Sequence, residues 1–119
     1  MAEGSFDQVF DLTHKYMSTV NVTSRATLSN GGYIKHGNLV IVNVKINGAA
    51  TATNSPQVLG GLPAPRMEIA LNCIDITGGI GSAITGSIPC GMATGGQVYM
   101  KEITNAHVYV ISGCYISDS

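Results

Sequence analysis

The chain has 119 residues, of which 11% are charged and 45% are hydrophobic, and its formal net charge is -1. This length suits one domain with a hydrophobic core of its own. The near-neutral charge argues against a nucleic-acid partner, since binding to a phosphate backbone requires a positive surface. High hydrophobicity with few charges is also the opposite of a disordered composition.

Residues 1–16 carry the weakest pattern of the chain. Their apolar residues have spacings that suit one short helical turn or a docked arm: Phe6, Val9, Phe10 and Leu12. Acidic residues stand where a signal peptide carries positive ones, and no run of about 20 apolar residues occurs. We expect an arm or linker at 1–16, one β domain at 17–119, no signal-peptide secretion and no membrane insertion.

The first β pattern begins at Met17. Asn30-Gly31-Gly32 follows it and predicts a hairpin turn, because the two central residues of a type I′ turn both need positive φ. The chain then enters Tyr33–Lys35, and a second short turn follows at His36-Gly37-Asn38.

Leu39–Asn47 is the clearest strand. Strict alternation has the period of a half-buried strand, so one set of side chains is predicted to face the core: Val40, Val42, Val44 and Ile46. The opposite face begins with Leu39 and Ile41 and continues with polar residues: Asn43, Lys45 and Asn47.

Gln57–Leu59 predicts a short strand, and Pro63 and Pro65 then exclude a central sheet position. Met67–Thr77 predicts the second long strand, with a bulge or two-sided burial near Cys73-Ile74.

Weaker strands are predicted towards the C-terminus. Ala83–Ile88 forms one that ends at Pro89, Gly91–Gly96 forms a loop, and Val98–Ile103 forms another strand. In the last strand, His107–Ser117, one set is predicted to face the core: Val108, Val110, Ser112, Cys114 and Ile116. The opposite set is predicted to face outward: His107, Tyr109, Ile111 and Tyr115.

About eight strands with frequent turns predict an all-β fold, a compact antiparallel β-sandwich or jelly-roll-like domain. Apolar residues on both faces of a small sandwich indicate a subunit interface, for which the candidates are Leu39, Ile41 and Ile111. Low surface charge favours the same conclusion, so we expect a homo-oligomer.

Three segments in this order resemble the C-terminal tip domains of bacteriophage tail-fibre, baseplate and head-fibre proteins: Gly31–Asn43, Gly60–Pro65 and Val110–Ile116. The resemblance extends from about Leu28 to the C-terminus. It implies a trimeric β-sandwich at the distal end of a virion appendage, made in the bacterial cytoplasm and contacting a host surface glycan or protein and other virion proteins.

Enzymatic chemistry finds little support in the sequence. Glu68, Asp75 and Glu102 lie in or beside strands, and we interpret them as solvated rather than as a hydrolytic pair. His14, His36 and His107 lack metal-ligand spacing. The three cysteines also lack it and are interpreted as small buried residues: Cys73, Cys90 and Cys114. We expect no enzyme activity, no cofactor and no metal.

Saccharide or protein recognition uses aromatic rings and planar polar groups on loops that a rigid sheet supports. The candidates are Tyr33, His36, Asn38, Arg66, Tyr99, Tyr109 and Tyr115. Together with these candidates, the resemblance implies a non-enzymatic trimeric fibre or baseplate tip domain that adheres to the bacterial surface. A virion decoration or assembly module without a receptor role is the alternative, and a small glycan-active enzyme is a weaker one.

Overall fold

The computed structural model describes residues 17–79 and 87–119, and this part of the chain is all β with no helix. Its eight strands are β1 (Asn21–Val22), β2 (Ala26–His36), β3 (Leu39–Gly48), β4 (Gln57–Gly60), β5 (Ile69–Asp75), β6 (Cys90–Met92), β7 (Val98–Met100) and β8 (Val108–Ile116). The predicted arm at 1–16 lies outside the described residues, as does the start of the predicted Ala83–Ile88 strand.

The eight strands form one nearly closed antiparallel sheet, in the order β1-β4-β7-β6-β5-β8-β3-β2. β5 connects the two halves of this sheet, β1-β4-β7-β6 and β8-β3-β2. Its first residues pair with β6, and Asn72–Asp75 pairs with β8. Ser18 and Tyr33 exchange backbone hydrogen bonds of 2.8 and 2.9 Å, which brings the segment before β1 against β2. The compact antiparallel fold of about eight strands is thus confirmed.

β3 lies between β2 and β8 and supplies the centre of the core. Its four alternating apolar side chains, predicted to face inward, are fully buried: Val40, Val42, Val44 and Ile46. Side chains from the other half of the sheet complete the core, among them Val58, Leu59, Met92, Val98 and Met100. The alternation therefore fixes which side of β3 faces solvent.

The predicted orientation of the last strand is wrong. Tyr109, Ile111 and Tyr115 are buried, whereas Cys114 and Ile116 are exposed. The pairing with β3 explains the reversal, because directly opposed residues of antiparallel strands share a face. The core valines of β3 stand opposite the buried residues of β8, as Val44↔Ile111 and Val40↔Tyr115 show. With apolar residues on both sides, β8 carries no alternation that could have fixed its orientation.

The predicted hairpin turn at Asn30-Gly31-Gly32 is wrong as well, because β2 runs straight through it. The register with β3 shifts between Leu28 and Asn30, which marks a β-bulge. Gly31 has a φ of 89°, and a Cβ there would lie 2.1 Å from the carbonyl oxygen of Asn43. The bulge therefore needs the same glycine conformation that a hairpin turn would need.

The predicted loop at Gly91–Gly96 begins too early, since Cys90–Met92 is β6 and pairs on both sides. β7 ends at Met100 rather than at Ile103, although Ile103 forms an isolated bridge with Ala52. β5 is shorter than predicted at both ends and changes its partner between Leu71 and Asn72.

Candidate interaction surface

Three separate segments meet at one end of the β2–β3–β8 sheet. The first is the β2–β3 turn, in which Gly37 has a φ of 60° and its carbonyl oxygen accepts a 2.7 Å hydrogen bond from Lys35 Nζ. The second is the C-terminal segment, whose Ser117 amide donates to the Asn38 carbonyl at 2.7 Å. The third is the proline crossing, whose Pro65 bridges to Ser117.

The proline crossing is held by backbone hydrogen bonds on both sides of that bridge. The Arg66 amide donates to the Ile116 carbonyl at 3.2 Å, and the Asp118 amide donates to the Ala64 carbonyl at 2.7 Å. The crossing therefore runs along the sheet margin, where proline costs no ladder hydrogen bond.

Beside this junction the outward face of the sheet is apolar. Ile34 stands opposite Ile41, which stands opposite Cys114, and Leu39 stands opposite Ile116. We call these five residues the tip patch. Leu39 is 42% exposed, Ile41 45% and Ile116 48%. Scattered exposed hydrophobic residues are ordinary, whereas the residues of the tip patch are neighbours on three adjacent strands.

Charged and polar side chains border the tip patch. His36 is the last residue of β2, Asn38 belongs to the β2–β3 turn, and Arg66 follows the crossing; all three are exposed. These are three of the seven predicted binding residues, and the fold brings them to one end although they are distant in sequence. Met67, beside Arg66 in the chain, is 67% exposed.

Further along the same face the surface becomes polar. Asn43 stands opposite Ser112, which stands opposite Asn72, so three polar residues form a row across β3, β8 and β5. Lys45 and Asn43 are exposed, as predicted for the polar side of β3. One sheet face thus combines an apolar end with a polar middle.

Tyr109 and Tyr115 are not surface binding residues, which corrects the prediction for both. The Tyr109 hydroxyl accepts a 2.9 Å hydrogen bond from the Thr104 amide, and the Tyr115 hydroxyl donates to the Pro63 carbonyl at 2.6 Å. Burial, with a smaller effect of Tyr33, raises the pKa of Tyr115 to about 12. Both rings therefore anchor loops from within the core.

Ile111 is likewise buried completely and cannot line a subunit interface. Tyr33 is half-buried and packs against the core, so its ring is only partly available. Tyr99 is exposed but lies on β7, in the other half of the sheet, beside a shallow depression lined by Ser55, Pro89 and Lys101. The predicted binding residues therefore do not form one site.

Sequence reasoning missed a polar cluster that joins β5 to the start of β8. Asp75 Oδ2 lies 2.7 Å from His107 Nδ1, and the Thr77 amide donates to Asp75 Oδ1 at 3.0 Å. The Thr77 hydroxyl also hydrogen-bonds to Asp75 and accepts a 3.2 Å hydrogen bond from the Val108 amide. The His107 ring stacks on Tyr109 with centroids 6.3 Å apart.

The electrostatics of this cluster favour an ionised Asp75. Burial would raise the pKa of this carboxyl group, but the hydrogen bonds from Thr77 and His107 outweigh it and lower the pKa. Asp75 is thus not a freely solvated carboxylate, contrary to our interpretation of the sequence. Asp-x-Thr at the end of a strand is a local signal for the hydrogen bond from Thr77, but only the strand pairing shows that His107 lies beside Asp75.

Among residues 17–79 and 87–119, no three His, Cys, Asp or Glu side chains come together as a metal site. The same ranges contain no helix of the length and hydropathy that a membrane span would need. Cys114 is exposed and Cys90 half-buried, so of the three cysteines only Cys73 is buried as predicted.

The fold and this surface define an all-β domain with a nearly closed sheet and an exposed, partly apolar sheet face. Comparison with protein-family models, with curated proteins and with solved structures finds no match for the chain.

Proposed function

We propose that this chain is a non-enzymatic tip domain of a phage or prophage fibre or baseplate, which associates as a homotrimer and adheres to the bacterial surface. The observation that carries the proposal is the tip patch, in which Leu39, Ile41 and Ile116 are each nearly half exposed and adjacent. The resemblance of the segments around β2, β3 and β8 to such tip domains supports the same class.

Burial against other copies accounts for a surface of this kind. The chain carries only 6 basic and 7 acidic residues, so charge repulsion between copies is weak. The backbone around the patch is held by the Ser117–Asn38 and Arg66–Ile116 hydrogen bonds, and a partner would meet a preformed surface. We therefore assign the tip patch to the subunit interface.

Adhesion would then use the polar surfaces that this interface leaves free. Amide side chains suit a glycan or a polar protein epitope, because each offers both donors and acceptors. The row of Asn43, Ser112 and Asn72 lies on a rigid sheet. Arg66 and Asn38 lie on the adjoining loops, and His36 lies at the end of β2. These residues are the receptor-binding candidates that support the proposal.

Replacing Leu39 and Ile41 by Asp tests the interface. We expect Leu39→Asp/Ile41→Asp to yield monomers with unchanged far-ultraviolet circular dichroism, because both side chains already face solvent in the single chain. Asn43→Asp is the matched control, since it adds charge on the same face of the same strand. A double variant that keeps the mass of the unaltered assembly would refute the assignment.

Receptor binding is tested with the oligomer itself. Labelled protein is incubated with host cells and with purified cell-wall glycans, and the fraction that survives washing is measured. We expect retention that falls in an Asn43→Ala/Asn72→Ala variant and is unaffected by Tyr99→Ala. Absence of retention on any cell or glycan would favour a decoration or assembly module instead.

A further inference from the structure

The pairing of β5 and β6 places two cysteines side by side. Leu71 stands directly opposite Cys90, and Cys73 lies two residues further along β5. Residues two apart on a strand share a face, so Cys73 and Cys90 are diagonal neighbours on the same side of the sheet. Cys73 is only 1% exposed, whereas Cys90 is half-buried.

The two thiols differ in character. A side-chain hydrogen bond between them lowers the pKa of Cys90, although burial opposes this effect. The same hydrogen bond, followed by burial, raises the pKa of Cys73. The more accessible sulfur is thus the one whose pKa is lowered, and a lower pKa favours the thiolate.

Cys73 and Cys90 also line one depression, together with Asn72, Ser87 and Pro89. The pair of cysteines therefore lies beside space that a small molecule can enter.

We propose that Cys90 and Cys73 form a thiol–disulfide exchange site that accepts small disulfides such as glutathione disulfide. The Cys90 thiolate attacks one sulfur of that disulfide, giving a mixed disulfide on Cys90 and releasing one glutathione thiolate. Cys73 then loses its proton and attacks the Cys90 sulfur, which releases the second glutathione. The protein loses two electrons and two protons, and one glutathione disulfide becomes two molecules of glutathione.

The resulting Cys73–Cys90 bond would join β5 directly to β6. Diagonal neighbours on paired strands stand farther apart than the Cβ atoms of a disulfide, so the two strands must draw together as the bond forms. The bond is therefore expected to open again in excess glutathione, in contrast to a permanent structural disulfide.

Mass spectrometry of a Cys114→Ser variant tests the site, because this change removes the exposed thiol of the tip patch. After incubation with glutathione disulfide and alkylation, we expect a species lacking two hydrogens, with Cys73 and Cys90 linked in one peptide pair. Reduced glutathione should restore both thiols. Absence of the linked pair in this variant would overturn the proposal.

Two further variants, each also carrying Cys114→Ser, separate the roles of the cysteines. With Cys73→Ala, the reaction should stop at a stable glutathione adduct on Cys90, and alkylation of Cys90 should require a higher pH. With Cys90→Ala, Cys73 should stay unmodified. Modification of Cys73 at an undiminished rate in the Cys90→Ala protein would contradict the proposed order of attack.

Discussion

Single side chains at the margins of the core connect β8 to its neighbours. Tyr115 reaches from β8 to the Pro63 carbonyl, and Asp75 holds His107 and Thr77 at the other end of β8. Both residues are polar groups within or beside apolar surroundings, where an unpaired group is costly. Each of these hydrogen bonds therefore stabilises the position of a segment, and its removal should measurably lower the free energy of unfolding.

Tyr115→Phe removes the hydroxyl that binds the Pro63 carbonyl. We expect a loss of about 1 kcal/mol in the free energy of unfolding, because a carbonyl group loses its partner while the ring stays in place. Urea unfolding measures the loss. Tyr99→Phe, at an exposed position, is the control, and an equal effect in both variants would contradict the role of this hydrogen bond.

The Asp75 cluster predicts a dependence of stability on pH. The folded pKa of Asp75 lies below its ordinary value, so this stabilisation is complete above the ordinary aspartate pKa of about 4 and disappears as the pH falls through the folded pKa. At neutral pH, Asp75→Asn should lower the free energy of unfolding by roughly 1–2 kcal/mol.

Urea unfolding of both proteins between neutral and strongly acidic pH checks this expectation. The difference between the unaltered chain and Asp75→Asn should shrink on acidification, whereas an Asp118→Asn control should show no comparable trend. A difference that stays undiminished in strong acid would contradict a stabilising role of the ionised Asp75 carboxylate.

At the scale of elements, the strands differ in how far the sequence specifies them. β3 could be predicted in position and orientation, because four apolar residues alternate with exposed ones and only one side can face the core. β8 could be located but not oriented, since Tyr109 and Ile111 lie on one side while Val110 and Ile116 lie on the other. Its orientation depends on the pairing with β3, which is a long-range property.

The bulge in β2 and the position of β6 were outside the reach of local signals. Asn30-Gly31 permits positive φ in a turn and in a bulge alike, and only the partner strand distinguishes the two. Cys90–Met92 contains Gly91 and follows Pro89, yet pairing on both sides makes it a strand. Local signals do not predict the candidate surface either, because tertiary contacts bring Arg66 to the end of the sheet where His36 and Asn38 lie.

Substitution of Gly31 tests whether the bulge is required. An alanine there would adopt a strained φ and would also place its Cβ 2.1 Å from the Asn43 carbonyl oxygen. Gly37→Ala is the matched control, since Gly37 also has positive φ but a Cβ there meets no atom within 4 Å.

We expect Gly37→Ala to cost about 1–2 kcal/mol from backbone strain alone. Gly31→Ala should cost more than this, because β2 or β3 must also move. Thermal unfolding of the two variants provides the comparison. Equal losses would show that β2 can shift freely against β3 at this position.

For the whole molecule, the central question is what covers the tip patch. Each half-exposed Leu or Ile that becomes buried contributes roughly 1 kcal/mol per copy, so Leu39, Ile41 and Ile116 together favour association only modestly. Such a weak interface depends on each of these three side chains. An aspartate in place of Leu39 or Ile41 would have to be buried in it without a charged partner. The low charge of the chain and the hydrogen bond between the Ser117 amide and the Asn38 carbonyl also favour association.

Light scattering coupled to size exclusion, on the unaltered chain at micromolar concentration, tests the central claim most directly. The account predicts a mass of three 12.3 kDa chains at the higher concentrations of the micromolar range, because the tip patch favours association only modestly. A stable species with the mass of one chain throughout that range would contradict it.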